Sequence, residues 1–237
     1  MRILGIIPAK ALSTRVPDKN MRKVNGQTLV SRAMYSAYPC DAVAVCSEST
    51  NLLTYAGVFE SGHLQNYPHL HLITLPTELT QPMCQLEPVI QFAMDYVGIH
   101  QFDAFVILQP SSPLREQRDV KGAIGILTKS GCDTVVSVSP STHHYHFSGT
   151  VHKPADGIGM VFKPIRDIST RVLSQNLPTM VAENGAVYAF TKKHWLATGS
   201  RMGGDMRAMI MDEPHGLDVD YEKDLKLADI FLKGMKS

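Results

Sequence analysis

Three basic side chains fall within ten residues near the start of the chain: Lys10, Arg15 and Lys19, set among Ser13, Thr14 and Asn20. Fixed positive charge and short hydroxyl donors offset the charge of a polyphosphate, so the grouping suits a nucleoside triphosphate. It serves equally as a solvated basic loop. It is not the GxxxxGK[ST] phosphate loop, because no glycine stands between Gly5 and Gly26. A phosphate cradle here would rest on side-chain cations and non-glycine amides.

Near the other end, Asp218 and Asp220 flank Val219. Two apart in an extended piece, they point to one side. Two hard oxygen donors on one side suit Mg²⁺, which keeps several waters and shares its remaining positions with substrate phosphates. The alternative is that one aspartate caps the last helix and the other is solvated. A third group is Glu183-Asn184-Gly185-Ala186-Val187-Tyr188. Asn-Gly predicts a turn into a core strand, and Asn184 and Tyr188 offer an amide and a hydroxyl to a polyhydroxy ligand. His143, His144, His146 and His152 are close in sequence, with no carboxylate among them before Asp156. They read as a polar surface loop before they read as a metal site.

The elements that must position these residues alternate. Ile3–Ile7 is a short continuous apolar run closed by Pro8, the pattern of a buried parallel strand. The basic loop leaves its C-terminal end, where open α/β sheets bind ligands. A helix is predicted over Gln27–Tyr38 and strands over Ala42–Cys46 and His69–Leu75, with Ser47-Glu48-Ser49 as a cap for a helix between them. Gln85–Val97 has apolar residues at spacings of three and four. Ala104–Leu108 is a second strong strand, and it too runs into a polar loop, Gln109–Arg115, in which two prolines exclude continued strand or immediate helix. A helix over Asp119–Lys129, strands over Thr134–Val138, Ala186–Phe190 and Ala208–Met211, and a last helix over Tyr221–Lys233 complete the pattern. Alternation of this kind predicts an α/β fold with a doubly wound, mostly parallel sheet. Pro140–Pro178, rich in His, Gly, Pro and Ser and with a β-like piece at Gly159–Lys163, is too long for a plain connection and reads as an insertion with its own role.

Bulk properties narrow the classes. The 237 residues suit one large domain or one domain with an insertion, at 44% apolar and 19% charged. A net charge of +1 argues against a protein that binds nucleic acid by bulk electrostatics. No apolar run approaches the roughly 20 residues that cross a bilayer, and the first one is too short for a signal-peptide core. A cytoplasmic location is the expectation, with no membrane partner. Cys40, Cys46, Cys84 and Cys132 form no C-x-x-C pair and read as small buried or half-buried thiols.

Taken together, the motifs resemble those of the CMP-sialic acid synthetases, the acylneuraminate cytidylyltransferases. The family's opening I-P-A-R-x-x-S-x-x-x-P-x-K-N stands here as Ile7-Pro8-Ala9-Lys10 to Ser13, then Pro17-Asp18-Lys19-Asn20. L-Q-P-[TS]-S-P-L-R is Leu108–Arg115, complete, and N-G-A-[IV]-Y is Asn184–Tyr188, complete. The closing acidic motif with D-L-x-x-A is Asp218-Val219-Asp220, then Asp224-Leu225-Lys226-Leu227-Ala228.

The resemblance implies a Rossmann-like nucleotidyltransferase forming one domain over residues 1–237, with a dimerisation insertion at about 140–180. It implies transfer of CMP from CTP to the anomeric hydroxyl of an acidic 2-keto sugar, with Mg²⁺ as cofactor and a second copy of the chain as partner. It places Pro8, Ala9, Lys10, Ser13, Arg15, Lys19 and Asn20 around the nucleotide, Lys10 and Lys19 on the triphosphate and Asn20 on the ribose. It places Gln109, Ser111, Ser112, Arg115, Asn184, Tyr188 and Arg171 on the sugar side. Asp218 and Asp220 would hold the metal; Lys10, Lys19 and Asp220 would be the catalytic set.

The chain departs from that pattern in several places. Lys10 replaces an arginine, and Ala11-Leu12 replace two glycines. Leu75 stands where R-P-x-x-L has its arginine, and Leu86 where a small polar residue is expected near the base. Ser174 stands where an arginine would cross the dimer to the sugar carboxylate, with Arg171 as its substitute. These departures leave open another nucleotide, such as GTP, joined to a sugar phosphate, and a catalytically weak relative that only binds nucleotide or sugar.

Overall fold

The computed structural model describes residues 1–11, 13–81, 83–141, 149–152, 161–164, 180–212 and 214–235. His143, His144, His146, Arg171 and Ser174 lie outside them, as does most of the insertion expected at 140–180. The chain runs β1 (Ile3–Pro8), a small hairpin β2 (Lys23–Val24) and β3 (Gln27–Thr28), then α1 (Leu29–Ser36). It continues with β4 (Ala42–Ser47), α2 (Thr50–His63), β5 (His69–Thr74), α3 (Leu86–Val97), β6 (Ala104–Ile107), α4 (Gln117–Ser130) and β7 (Thr134–Pro140). A second hairpin, β8 (Gly149–His152) and β9 (Val161–Pro164), precedes β10 (Val181–Thr191), α5 (Lys192–Thr198), β11 (Met206–Ile210) and α6 (Glu222–Gly234).

Seven strands form one sheet in the order β11-β7-β10-β6-β1-β4-β5. All neighbours are parallel except β10, which is antiparallel to both β6 and β7. β1 is continuously apolar because both of its faces are covered. Ile3 and Ile7 face the core shared with α1, α2 and α4, through Val30, Met34, Leu52, Val120 and Leu127. Leu4 and Ile6 face α3 and α5, through Val89, Ile90, Met94 and Trp195. Full burial of such side chains is worth about 1.5–3 kcal/mol each, so the spacing that defined α3 in the sequence is also what fixes it on the sheet. A third cluster seats α6 on the opening loop: Leu225, Ala228 and Leu232 pack with Val16, Leu29, Leu114 and Val219.

The order of strands creates the site. From β1 the chain steps outward to β4 and β5, then returns to place β6 on the other side of β1. That reversal opens a crevice beyond the C-terminal ends of β1 and β6, the position at which open α/β sheets bind ligands. Among the described residues no helix is long and apolar enough to cross a membrane.

Several elements differ from the sequence reading: Gln27–Thr28, expected to open a helix, pair instead with Lys23–Val24, and α1 begins at Leu29. α5 was not expected, because its seven residues are too few to show a period. The strand expected at Ala186–Phe190 starts five residues earlier, at Val181, so Asn184-Gly185 is not a turn before the strand but an irregularity inside it. The pairing with β7 shifts register between Glu183 and Tyr188, and Gly185 takes φ +71° there.

Candidate active site

Pro8 closes β1, and the next residues form one wall of a cleft of about 270 Å³: Lys10, Ser13, Thr14, Arg15, Lys19 and Asn20. The loop after β6 supplies the facing wall with Gln109, Pro110 and Ser111, and Thr80 and Leu86 close a third side. A larger hollow of about 550 Å³ lies between Arg32, Tyr35, Arg118 and the end of α6, with none of the opening loop's cations. The smaller cleft holds the opening loop's cations and sits at the topological switch point, so it is the candidate site.

Each cation of the opening loop already holds an oxygen. Lys10 Nζ lies 3.4 Å from the carbonyls of Gln81 and Cys84. Lys19 Nζ donates to Val219 O at 2.8 Å and lies 3.9 Å from Asp220 Oδ1. Arg15 forms a two-pronged pair with Asp220, Nη1 to Oδ2 at 2.9 Å and Nη2 to Oδ1 at 2.8 Å. Asn20 is buried, and its amide donates to Lys10 O at 2.7 Å, which fixes the loop's curvature. The amide of Ala11 donates to Glu48 Oε1 at 3.0 Å, so a backbone donor that a phosphate could use is spent on a carboxylate. Ala9 is buried, with its amide bonded to Cys46 O at 2.8 Å.

Two devices position the acidic pair. Val219 is buried and its amide donates to Ser111 O at 2.8 Å, locking this segment to the β6 loop. Asp224 caps α6: its Oδ2 accepts from the amides of Asp220 at 3.0 Å and Tyr221 at 2.8 Å. With Val219 turned inward, Asp218 and Asp220 lie on the opposite side of the segment, and Asp220 pairs with Arg15 and Lys19 of the cleft wall. Loss of solvent around Asp218 and the charge of Asp220 raise its carboxyl above the usual carboxylate value, against a lowering hydrogen bond from Ser111. Two carboxylates two residues apart, offering only oxygen donors, fit a hard divalent cation. Among the described residues no group of three His, Cys, Asp or Glu gathers elsewhere as a metal site.

The sugar-side candidates separate. Gln109 lines the cleft and its Nε2 donates to Gly185 O at 3.1 Å. Ser111 lines it as well. Asn184 is buried and its side chain is used within the sheet: Oδ1 accepts from Ser137 Oγ at 2.6 Å and from the Ala186 amide at 3.1 Å, and Nδ2 donates to Ser139 Oγ at 2.9 Å. It pins the irregular part of β10 and acts on the cleft through Gly185. Ser112 is also buried, and its Oγ has no hydrogen-bond partner among the described residues. Arg115 corrects the expectation of a sugar contact: it is 3% exposed, and Nε bonds Ser36 Oγ while Nη1 bonds the carbonyls of Gln109 and Ala186. It ties α1, the β6 loop and β10 together from behind. Tyr188 is 5% exposed, with its hydroxyl on Glu183 Oε2 at 3.2 Å and Arg201 over its ring at 4.8 Å.

Sequence reasoning missed Thr80, Arg201 and the positioning role of Asp224. Asp224 had a readable signal, a carboxylate at the third position of a helix whose start the sequence marked. Thr80 and Arg201 lie between recognisable elements and carried none.

No family profile matches the chain. It is 25% identical over 233 residues to CMP-N,N'-diacetyllegionaminic acid synthase of Legionella pneumophila, covering 97% of this chain and 95% of that protein. It is also 25% identical over 238 residues to an N-acylneuraminate cytidylyltransferase of Escherichia coli, covering 96% of this chain. Of that relative the chain spans only about half the length, 51%. Over nearly its whole length the chain is thus similar to CMP-sialic acid synthetases. Among solved structures, a CMP:2-keto-3-deoxy-manno-octonic acid synthetase complexed with CTP matches with a TM-score of 0.68 at 14% identity, over 99% of this chain and 100% of that one. That likeness shows the nucleotidyltransferase fold. In this chain the motif that resembles the family's opening forms one wall of the cleft and the Q-P-S motif the facing wall, and the Val219 amide ties the acidic motif to Ser111 O.

Proposed function

We propose that this chain transfers a CMP group from CTP to the anomeric hydroxyl of a sialic-acid-like 2-keto sugar acid and releases pyrophosphate. The observation that carries the reading is the cleft at the switch point, lined by Lys10, Arg15 and Lys19, of which Arg15 and Lys19 pair with Asp220. The names of the relatives supply the class of nucleotide and acceptor.

The triphosphate lies along the opening loop. Lys10 and Lys19 give up carbonyl oxygens for phosphate oxygens, and Arg15 exchanges Asp220 for the triphosphate. Asn20 stays in place, because its amide holds the loop to Lys10 O. Asp218 and Asp220 would hold Mg²⁺, which when bound would offset triphosphate charge and make the attacking hydroxyl more acidic. Gln109, fixed by Gly185 O, orients the acceptor. The anomeric oxygen bonds to the α-phosphorus, the bond from that phosphorus to the bridging oxygen breaks, and pyrophosphate leaves with the electron pair. The hydroxyl proton goes to solvent; among the described residues no histidine lines the cleft. Such a reaction needs positioning and charge neutralisation more than covalent help from the protein. The working unit is a homodimer joined through the segment at about 140–180, and the enzyme acts in the cytoplasm.

Pyrophosphate release is measured with each of the four nucleoside triphosphates, with and without a nonulosonic acid, in Mg²⁺. CTP with a sugar acid is expected to be the productive pair, and Asp220→Ala to abolish turnover while the protein remains folded. Turnover with GTP and a sugar phosphate instead, for which Leu86 at the cleft wall leaves room, would replace this reading.

A further inference from the structure

The polar contacts of the cleft continue past Gln109. Its amide holds Gly185 O, and two residues earlier Glu183 accepts the Tyr188 hydroxyl at 3.2 Å. The guanidinium of Arg201 lies over the Tyr188 ring at 4.8 Å. Arg201 Nη1 is in turn paired with Glu87, the neighbour of the cleft-wall residue Leu86. The contacts thus leave the cleft at Gln109 and return to it at Leu86, and Arg201 supplies the one guanidinium of that arc. Leu86 and Glu87 open α3, a helix of 12 residues, so the positive end of its peptide dipoles faces the same region.

Arg201 has one edge paired and another buried without a partner among the described residues. Glu87 holds Nη1 and fixes the guanidinium plane. Nε is buried and has no hydrogen-bond acceptor among the described residues. A buried charged N–H is costly to leave unpaired, and such groups call for a partner. The planar fork of an arginine matches a carboxylate, and its face rests stably on an aromatic ring.

We propose that Arg201 is the residue that recognises the carboxylate of the acceptor sugar acid. This rests on the reading of the reaction given above. Glu87 is then a positioning residue, and its charge makes the pocket selective. An anion that does not dock in register with the unpaired edge of Arg201 meets the charges of Glu87 and Glu183 instead.

The test uses the full chain with CTP, Mg²⁺ and two acceptors, N-acetylneuraminic acid and 2-keto-3-deoxy-manno-octonic acid, each also as its methyl ester. In the wild-type protein the acids are expected to be preferred to the esters. Arg201→Met is expected to raise the KM for the acid roughly 10- to 100-fold, to leave the KM for CTP within about threefold, and to erase the preference for acid over ester. Arg201→Lys keeps a charge against Glu87 but loses the fork, so it too should lose most of that preference while melting near the wild-type temperature. An unchanged preference in a folded Arg201→Met or Arg201→Lys protein overturns this inference and leaves the reaction standing. No pyrophosphate release by the wild-type protein with either acid overturns the functional reading, and this inference with it.

Discussion

Replacing Arg115 with methionine is expected to damage the fold and spare the substrates. Arg115 is the last residue of the complete L-Q-P-S-S-P-L-R motif, where a basic side chain invites a ligand role. The structure gives it three buried bonds instead: Nε to Ser36 Oγ at 2.9 Å, and Nη1 to Gln109 O at 2.9 Å and Ala186 O at 2.7 Å. Burial pushes the guanidinium down to about 9, which leaves it charged at neutral pH. Methionine fills the stem but strands the three acceptors on α1, the β6 loop and β10. Removing one partner from a buried charged network costs roughly 3–5 kcal/mol. Three charge-assisted bonds at about 1.5 kcal/mol each fall in the same range. For a domain of this size each kcal/mol moves Tm by about 2–4 °C, so a fall of roughly 6–20 °C is expected. A thermal melt measures it, and KM values well below the new midpoint separate stability from binding. A melting temperature within about 2 °C of wild type would refute the reasoning. So would a tenfold rise in the sugar KM alone in protein that remains folded.

Gly185→Ala should act on the cleft through one contact: at φ +71° a side chain costs about 1–2 kcal/mol, and the new Cβ would stand 3.3 Å from Gln109 Nε2. The expected result is a modestly lower Tm with a raised KM for the sugar and an unchanged KM for CTP, and equal KM values for both would remove Gln109 from the acceptor site. Asp218→Asn should raise the Tm of the ligand-free protein at pH 7. The folded-state carboxyl is raised above its ordinary value, so the folded protein binds the proton more readily than the unfolded one, and the ionised group is a burden above that raised value. The gain should fade as pH falls through the ordinary carboxylate range and vanish once both states are protonated. A gain that is constant with pH would show that the carboxylate's charge is not the cause.

Most of the fold was legible because its core strands are buried on both faces. Ile3–Ile7, Ala42–Cys46 and Ala104–Leu108 appear as short continuous apolar runs because no residue in them meets water, and each became a strand within a residue or so. The amphipathic helices were legible for the complementary reason, one face buried and one wet. Direction was not legible. Nothing in Ala186–Phe190 distinguishes a parallel from an antiparallel neighbour, and β10 runs against β6 and β7. Nor was the bulge: Asn-Gly satisfies a turn and a mid-strand irregularity equally, since both need a residue at positive φ and a side chain that bonds nearby backbone.

The site was legible in its residue types and less so in their duties. A motif records that a side chain matters without saying whether it faces the ligand or the scaffold, and Asn184 and Arg115 face the scaffold. The opening loop shows what only coordinates could add. Lys10 sits on two carbonyls, Lys19 on a third, Arg15 on Asp220, and the Ala11 amide on Glu48. Each of the three cations, and the Ala11 amide, holds a protein oxygen where a triphosphate oxygen would go, which keeps the cations close together. A triphosphate therefore gains only the difference between its own oxygens and those it displaces. The exchange is most productive at Arg15, where one departure frees the carboxylate of Asp220 for a cation that arrives with the nucleotide. The pairing of the opening loop with the acidic motif through Arg15, Lys19 and Asp220, more than either motif alone, is what the proposed metal–nucleotide site rests on.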